Sequence, residues 1–239
     1  MDDRDPFASP LQVPTANRPL LGLTVLVVED SRYASEAMRL LCLRSGARIR
    51  RADCLKSARR HLQTYRPAVV IVDLGLPDGS GISLIEELAQ AAPRMSLILG
   101  TSGDDGSRET ALAAGADGFL SKPITSLAVF QQAVLRHLPP NQHPRGLHLT
   151  SDDQIHPDKM AFHDDMAHVA DVLSDSQDEK VLDYVAQFLG GVARSIGDNP
   201  LAQAADDLAH SRAVGAPVGT NAARIAGLVH ERLQHRKAI

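Results

Sequence analysis

The chain of 239 residues has no tryptophan, only 3% aromatic residues and only two cysteines. Few aromatics predict cores of aliphatic side chains, and two cysteines are too few for a disulfide framework. Cys42 and Cys54 both lie in amphipathic segments, so we expect small buried residues of a reducing compartment. No stretch approaches the roughly 20 apolar residues of a membrane helix, and the N-terminal residues lack the apolar core of a secretory signal. These absences predict a cytoplasmic protein with no membrane partner.

Length and composition predict two folded domains. With 44% hydrophobic residues and a net charge of −4, the chain can bury a sizeable core, and single domains have roughly 100–200 residues. We predict four parts: a disordered, proline-rich lead-in over 1–20, an α/β domain over 21–139, a Pro- and His-rich linker over 140–158 and a helical bundle over 159–239.

The α/β prediction comes from short apolar runs that alternate with amphipathic segments of helical length. The runs lie in "LTVLVVED", "ARIRRAD", "AVVIVD", "MSLILG" and "DGFLS". A helix follows each run, and the first helix has Ser31 as a candidate N-cap and Gly46 at its end. Five βα units predict a doubly wound, mostly parallel sheet of five strands.

Polar residues follow these runs at the sheet edge where parallel sheets bind ligands. They are Glu29 and Asp30 after the first run, Asp73 at the end of the third, Thr101 at the fourth and Lys122 after the fifth. Three carboxylates brought together repel one another unless a cation lies between them, and Mg²⁺ prefers such hard oxygen ligands. Asp73 is then a candidate nucleophile toward a phosphoryl group, with Lys122 as a second positive charge. Gly75 is a candidate donor of a backbone carbonyl to the metal.

The motifs "VVED", "VDLGLPDGSG", "LGTSG" and "GADGFLSKP" occur in this order, and together they resemble the receiver domain of two-component response regulators. The resemblance covers 21–139 and implies a flavodoxin-like fold with strand order 2-1-3-4-5. The implied roles are Asp73 as phosphoacceptor, Glu29, Asp30, Asp73 and Gly75 at Mg²⁺, Lys122 as the phosphoryl-pairing lysine, Thr101 as switch hydroxyl and Phe119 as the aromatic residue that follows it. The segment between Thr101 and Lys122 is one residue shorter than is usual in the family, so Ser102 is an alternative switch hydroxyl.

The implied function is a switch in a phosphorelay, with a sensor histidine kinase or a phosphotransfer protein as partner. A phosphoryl group adds roughly −1.5 to −2 of charge and biases an equilibrium between two packings, so we expect a switch and not an enzyme. The enzyme alternative is a phosphatase of the haloacid dehalogenase type. Such a phosphatase has a second aspartate two residues after its nucleophile, where this chain has Gly75.

The second half shows apolar residues at helical spacing and no strand pattern, which predicts a small all-α bundle. The four predicted stripes contain Phe162, Met166, Val169 and Leu173; Val181, Val185, Phe188 and Val192; Leu201, Ala204 and Leu208; and Ile225, Val229 and Leu233. The third helix begins at Asn199, and Thr220 or Asn221 caps the fourth. From residue 140 onward nine Lys and Arg stand against fourteen Asp and Glu, so we do not expect DNA as a partner. A DNA-binding transcriptional regulator is kept as an alternative.

The segment around "LAHS" resembles a histidine phosphotransfer domain, with His210 in the reactive position. That family has Lys and Gly where this chain has Ala213 and Val214, so the resemblance is to a degenerate domain. We therefore expect a bundle for partner docking or for dimerisation with a second copy of the chain. An active relay through His210 is the alternative, and no metal site is expected among the histidines of this half.

Overall fold

The structure is a computed structural model, and it describes residues 13–95, 97–104, 106–144, 153–175 and 178–234. Its strands are β1 (Thr24–Val28), β2 (Arg48–Ala52), β3 (Val69–Asp73), β4 (Gly75–Leu76), β5 (Gly79–Ser80), β6 (Ile98–Ser102) and β7 (Gly118–Ser121). Five of them form a parallel sheet in the order β2-β1-β3-β6-β7. This order confirms the predicted 2-1-3-4-5 arrangement of the five main strands.

β4 and β5 form a short antiparallel hairpin within the segment that the sequence presents as a loop rich in glycine and proline. Hydrogen bonds to a neighbouring segment fix the turn of this hairpin: the Asp78 carboxylate accepts from the backbone N–H groups of Leu55 (2.8 Å) and Lys56 (2.9 Å). The hairpin begins two residues after Asp73 and so frames the end of β3.

Five helices cover the two faces of the sheet: α1 (Arg32–Ser45), α2 (Leu55–Thr64), α3 (Gly81–Gln90), α4 (Ser107–Ala113) and α5 (Leu127–Leu135). α1 and α5 bury one face, and α2, α3 and α4 bury the other. The predicted ends of α1 are confirmed: the Ser31 hydroxyl accepts a hydrogen bond from Ala34 N, and Gly46 has a left-handed φ of 85°. Both faces of β3 are therefore apolar up to Asp73.

Four further helices form the predicted all-α bundle: α6 (Lys159–Asp175), α7 (Glu179–Ile196), α8 (Asn199–Ala213) and α9 (Gly219–Gln234). Residues from all four predicted stripes, such as Met166, Val185, Leu208 and Val229, are buried in one core. The predicted cap of the last helix is wrong, because α9 begins at Gly219 and Asn221 lies in its first turn. The Asn221 amide donates instead to the carbonyl oxygen of Asp207 on α8. None of the described helices combines the length and the hydropathy needed to cross a bilayer.

The predicted boundaries of the lead-in and the linker need correction. Residues 1–12 and 145–152 lie outside the described residues, but the described ends of both segments pack on the α/β domain. Leu20 is fully buried in its core, although we predicted disorder there. Ile155 is buried in the same core, and its N–H donates to the carbonyl oxygen of Thr125 at 2.9 Å. Burial of Leu20 and Ile155 contributes to the free energy that holds the described ends of the two segments on the α/β domain.

The two cysteines differ in their surroundings. Cys42 is fully buried, as predicted, and burial raises the pKa of its thiol to about 12. Cys54 is only half-buried and immediately precedes α2, so its expected burial is wrong in degree.

Candidate functional site

Parallel pairing brings the charged residues of the sheet to one edge. Glu29 and Asp30 directly follow β1, Asp73 is the last residue of β3, and Lys122 directly follows β7. Val28 pairs with Val72 in the β1–β3 register, so Glu29 and Asp73 leave the sheet at the same level. The structure therefore brings together the four charged residues that the sequence places at strand ends.

Lys122 bridges two of the carboxylates. Its Nζ lies 2.7 Å from Glu29 Oε2 and 3.0 Å from Asp73 Oδ2. The side chains of Glu29, Lys122 and Asp73 are only 1%, 8% and 10% exposed, so solvent screens these charges little. One carboxylate oxygen each of Glu29, Asp30 and Asp73 lies within 4.8 Å of the other two.

The buried carboxylates hold their protons more tightly than usual. Burial raises the pKa of Asp30 to about 7, and the neighbouring charge of Asp73 adds to this rise. The pKa of Glu29 is also well above its ordinary value, chiefly because of burial, although Lys122 opposes the rise. Burial alone would lower the pKa of Lys122, but the charges of Asp73 and Glu29 outweigh it and hold this pKa above its usual range. One lysine thus faces three carboxylates that repel one another.

This arrangement fits a divalent cation. When all three carboxylates are ionised, one ammonium leaves an excess of negative charge in a site of low polarity, and a small hard cation would neutralise it. The three oxygens within 4.8 Å of one another suit Mg²⁺, which takes few protein ligands and keeps several waters. Gly75 lines the same cavity as Asp73, and the role of its carbonyl as a ligand stays a prediction.

Two hydroxyls lie at the end of β6, and they point to different partners. Thr101 pairs with Asp73 in the β3–β6 register, but its Oγ1 donates to the carbonyl oxygen of Leu120 at 2.8 Å. Ser102 lines the cavity beside Asp73, and its Oγ accepts from Asp104 N at 3.1 Å. Phe119 is buried in the sheet core. Thr101 and Ser102 therefore both stay candidates for the switch hydroxyl.

A close backbone approach requires glycine where α3 begins. A Cβ on Gly81 would overlap the carbonyl oxygen of Asp73. Gly81 N donates to the carbonyl oxygen of Leu74, which fixes the end of β3 against the start of α3. This contact explains why the loop motif around Asp73 ends in glycine.

Sequence reasoning missed the residues of the bundle that meet this site. The Tyr184 hydroxyl on α7 donates to Asp30 Oδ2 at 2.8 Å. Gln187, Phe188, Gly191 and Val192, also on α7, line the cavity that contains Asp73. Tyr184 lies four residues before Phe188 and so extends the predicted stripe, which is the signal that could have pointed to it.

Asp165 on α6 is the second contact that sequence reasoning missed. Its buried carboxylate accepts hydrogen bonds from Ser31 Oγ (2.8 Å), Arg32 N (2.7 Å) and Tyr33 N (3.1 Å) at the start of α1. Burial raises the pKa of Asp165, and these three donors oppose the rise. A carboxylate of the bundle thus satisfies free N–H groups at the N-terminus of a helix in the α/β domain.

His210 does not take part in this site. It is exposed on α8, one turn before that helix ends, whereas Leu208 is buried, so its predicted exposure is confirmed. The described bundle residues that line the cavity at Asp73 belong to α7 and not to α8.

Comparison with known proteins agrees with this geometry. Residues 25–134 match the family described as response regulator receiver domain. Over 100 residues the chain is 36% identical to the KDP operon transcriptional regulatory protein KdpE of Escherichia coli K12, covering 42% of this chain and 44% of KdpE. Over 117 residues it is 31% identical to the transcriptional regulatory protein PhoP of the same strain, covering 48% of this chain and 52% of PhoP.

A solved receiver domain, that of the sensor histidine kinase PA1611 from Pseudomonas aeruginosa PAO1, is 25% identical with a TM-score of 0.44. The match covers 48% of this chain and 97% of that domain. The chain spans about half the length of the curated relatives it matches. The family match, the sheet order and the converging acidic residues agree, and residues 25–134 are a response regulator receiver domain.

Proposed function

We propose that this chain is a phosphorelay response regulator that accepts a phosphoryl group on Asp73 in the presence of Mg²⁺. The observation that carries the proposal is the contact of Asp73 with Lys122, at 3.0 Å, within a group of three carboxylates at the edge of the sheet. A carboxylate placed between a buried cation and a divalent metal site has the surroundings of a phosphoryl acceptor.

The residues of the site have two roles, which are to hold the metal and to pair with the phosphoryl group. Glu29, Asp30 and Asp73 would hold Mg²⁺ through carboxylate oxygens, and Gly75 through its carbonyl. The bound metal would neutralise the charge of the incoming phosphoryl oxygens. Lys122, whose raised pKa keeps it protonated, pairs with one of these oxygens and fixes the orientation of Asp73.

The transfer conserves atoms and charge. An Asp73 carboxylate oxygen forms a new bond to phosphorus, while the bond from phosphorus to the donor nitrogen or oxygen breaks. The electron pair of the broken bond leaves with the donor, which takes a proton from solvent when it is a phosphohistidine. Hydrolysis later returns the carboxylate and inorganic phosphate.

The output of this reaction is a change of conformation and not a released product, so we class the chain as a switch and not as an enzyme. Receiver domains exchange phosphoryl groups with sensor kinases or phosphotransfer proteins, and we propose a protein of this kind as the partner. The change would begin when Thr101 exchanges its hydrogen bond with Leu120 for one to the phosphoryl group.

A transcriptional role is the second candidate, because KdpE and PhoP are named as transcriptional regulatory proteins. Our expectation that DNA is not a partner therefore receives no support from these relatives. The matched region is the receiver domain, so the names say nothing of α6–α9. A gel shift of the phosphorylated full chain with random-sequence and promoter DNA would distinguish the two roles.

His210 is the third candidate site, for a relay within the chain. Its exposure suits phosphotransfer, but Ala213 and Val214 at the end of α8 offer no cation to a phosphohistidine. We propose that the bundle is a degenerate phosphotransfer-like domain that docks on partners and does not carry the phosphoryl group.

Labelling with a small phosphoryl donor tests these proposals together. The full chain, Asp73→Asn and His210→Gln would each be incubated with labelled phosphoramidate, with and without Mg²⁺. We expect label in the full chain and in His210→Gln with Mg²⁺ only, and none in Asp73→Asn. Label that persists in Asp73→Asn and disappears in His210→Gln would contradict the assignment.

A further inference from the structure

The bundle lies directly on the edge of the sheet that holds the acidic cavity. We call its contacting face the cover, and define it by Asp165, Tyr184, Gln187, Phe188 and Val192. α6 packs on α1, and α7 packs on the hairpin strand β4. A Cβ on Gly75 would overlap the carboxamide of Gln187, so α7 reaches the backbone two residues after Asp73.

The covered cavity is too small for the proposed reaction. Beside Asp73 it offers about 20 Å³ to the centre of a water molecule, which is room for about one water. A phosphoryl group with its donor and a hydrated metal ion needs several times this space. Asp73 itself is only 7% exposed, so a donor has little access to its carboxylate while the cover is in place.

The open groove beside the cavity does not provide such a path. This groove has a volume of about 790 Å³ and reaches Glu29 and Asp30, but Asp73 is not among its lining residues. Six carboxylates line it against two arginines, Arg32 and Arg51, and Arg32 pairs with Asp164, so the excess of negative charge disfavours the entry of an anionic donor.

The cover also competes for the metal ligands. The Tyr184 hydroxyl donates to Asp30 Oδ2, and this hydrogen bond occupies an acceptor position on a carboxylate that would also bind the cation. Asp165 strengthens the contact from the other side, because its three hydrogen bonds hold the loop that carries Glu29 and Asp30. Docking of the bundle and loading of the site are therefore in conflict.

We propose that the helical bundle is a built-in inhibitor of the receiver domain, which must undock before Asp73 can be phosphorylated. The inference rests on the proposed function and adds its regulation. Linkage makes the effect reciprocal. If docking of the cover lowers the affinity for Mg²⁺ by a given factor, bound Mg²⁺ lowers the equilibrium constant for docking of the cover by the same factor. Phosphorylation would then keep the bundle released and free to meet a partner.

A reversible lock tests the proposal in the full chain. A Cβ on Gly103 would lie 3.3 Å from the Cα of Gly191 on α7, and a Cβ on Gly191 meets no neighbour within 4 Å, so we choose this pair of adjacent positions for a disulfide. The double variant Gly103→Cys with Gly191→Cys, made with Cys54→Ser, would be compared before and after reduction. Because the disulfide holds the bundle in its docked position, the oxidised form cannot reach the open state, and we expect phosphoramidate to label it at least about tenfold more slowly than the reduced form.

The outcomes separate the inference from the function on which it rests. Equal labelling of the oxidised and reduced forms would overturn the inhibitor and leave Asp73 as the acceptor. Absence of label from the reduced form, the natural chain and the undocked variants below would overturn the proposed function itself.

Undocking variants keep the proposal testable if the double variant does not fold. Tyr184→Phe removes the competing hydroxyl, and Tyr65→Phe is its matched control because Tyr65 bonds His61 on α2, away from the bundle. Losing a hydrogen bond to a carboxylate predicts about a tenfold gain in Mg²⁺ affinity, measured by calorimetry, for Tyr184→Phe alone. Equal affinity of both variants would contradict the competition.

Hydrogen exchange gives a readout that needs no phosphoryl donor. Asp165→Ala should speed exchange of the Arg32 and Tyr33 amides, and Asp206→Ala, which removes an ion pair to Arg194 within the bundle, should not. Mg²⁺ added to the natural chain should speed the same two amides. Slower or unchanged exchange with Mg²⁺ would overturn the proposed undocking.

Discussion

The hydroxyl of Tyr184 donates a hydrogen bond of 2.8 Å to Asp30, and it joins the last helices of the chain to the acidic residues of the receiver domain. Asp30 is one of three carboxylates proposed to hold Mg²⁺. One residue, Asp30, therefore contacts the bundle and is also a proposed ligand of the metal.

Mg²⁺ should stabilise the chain through the three carboxylates. At a concentration 100 times Kd, a ligand that binds only the folded state adds about 2.7 kcal/mol to the free energy of unfolding. We expect Asp30→Asn to lose most of this gain in a thermal melt with and without Mg²⁺. The control Asp53→Asn, at an exposed position on the nearby groove, should keep it. Equal stabilisation of both variants would place the metal elsewhere.

Lys122 should be a large contributor to stability when no metal is present. Lys122→Met leaves Glu29 and Asp73 buried without their cation, and breaking a buried ion pair costs about 3–5 kcal/mol. The control Lys56→Met, at an exposed position on α2, should change the free energy of unfolding little. Urea unfolding of the three proteins measures the difference, and similar values for both variants would show that the buried lysine is not needed.

Loss of the hydroxyl at Thr101 and loss of the hydroxyl at Ser102 should have different effects on how the bundle responds to phosphorylation. Thr101→Val keeps the shape but loses the hydroxyl that bonds Leu120, at a cost of about 1 kcal/mol in stability. We expect this variant to accept a phosphoryl group while its bundle no longer responds to phosphorylation in small-angle scattering. Ser102→Ala should keep both properties. The reverse pattern would make Ser102 the switch hydroxyl.

Asp198 should make bundle stability depend on pH. Its carboxylate accepts from Leu201 N at the start of α8 and pairs with both Nε (2.9 Å) and Nη2 (3.1 Å) of Arg232 on α9. The hydrogen bonds from Arg232 lower the pKa of Asp198 below its ordinary value of 3.8. The charged form is thus favoured by folding, so its contribution is present above 3.8 and is lost as the pH falls through the lower folded value.

Asp198→Asn measures that contribution. Asparagine still caps a helix well, so the expected loss at pH 7 is about 1–2 kcal/mol and reflects the charge pair. The difference between the natural chain and the variant in urea unfolding should shrink toward zero in strong acid. A difference that stays constant with pH would mean that the pair contributes nothing through its charge.

The sheet and its acidic residues were predictable because both leave a local signal. A run such as Val69–Val72 is apolar at every position, which indicates a strand buried on both faces, and Asp73 stands out at its end. Parallel strands have their carboxyl ends at one edge of the sheet, so the sequence alone predicts that Glu29, Asp73 and Lys122 lie close together. The apolar stripes of the bundle are equally local.

The position of the bundle on the site was not predictable from the sequence. The sequence pattern does not distinguish Asp165 from an ordinary solvated residue of a helix, because its partners at the start of α1 are more than 130 residues away in the chain. Ile155 reads as part of a polar linker for the same reason. Tertiary contacts of single side chains produce no periodic pattern in the sequence. Such contacts determine here which surface of the bundle packs on the α/β domain.

Phosphorylation of Asp73 is tested most simply by locating the phosphoryl group on the intact chain with peptide-level mass spectrometry after incubation with phosphoramidate and Mg²⁺. We expect one phosphoryl group, on the peptide that contains Asp73, and none after the metal is removed with a chelator. Modification of any other residue, or of Asp73 to the same extent without Mg²⁺, would contradict the proposed function.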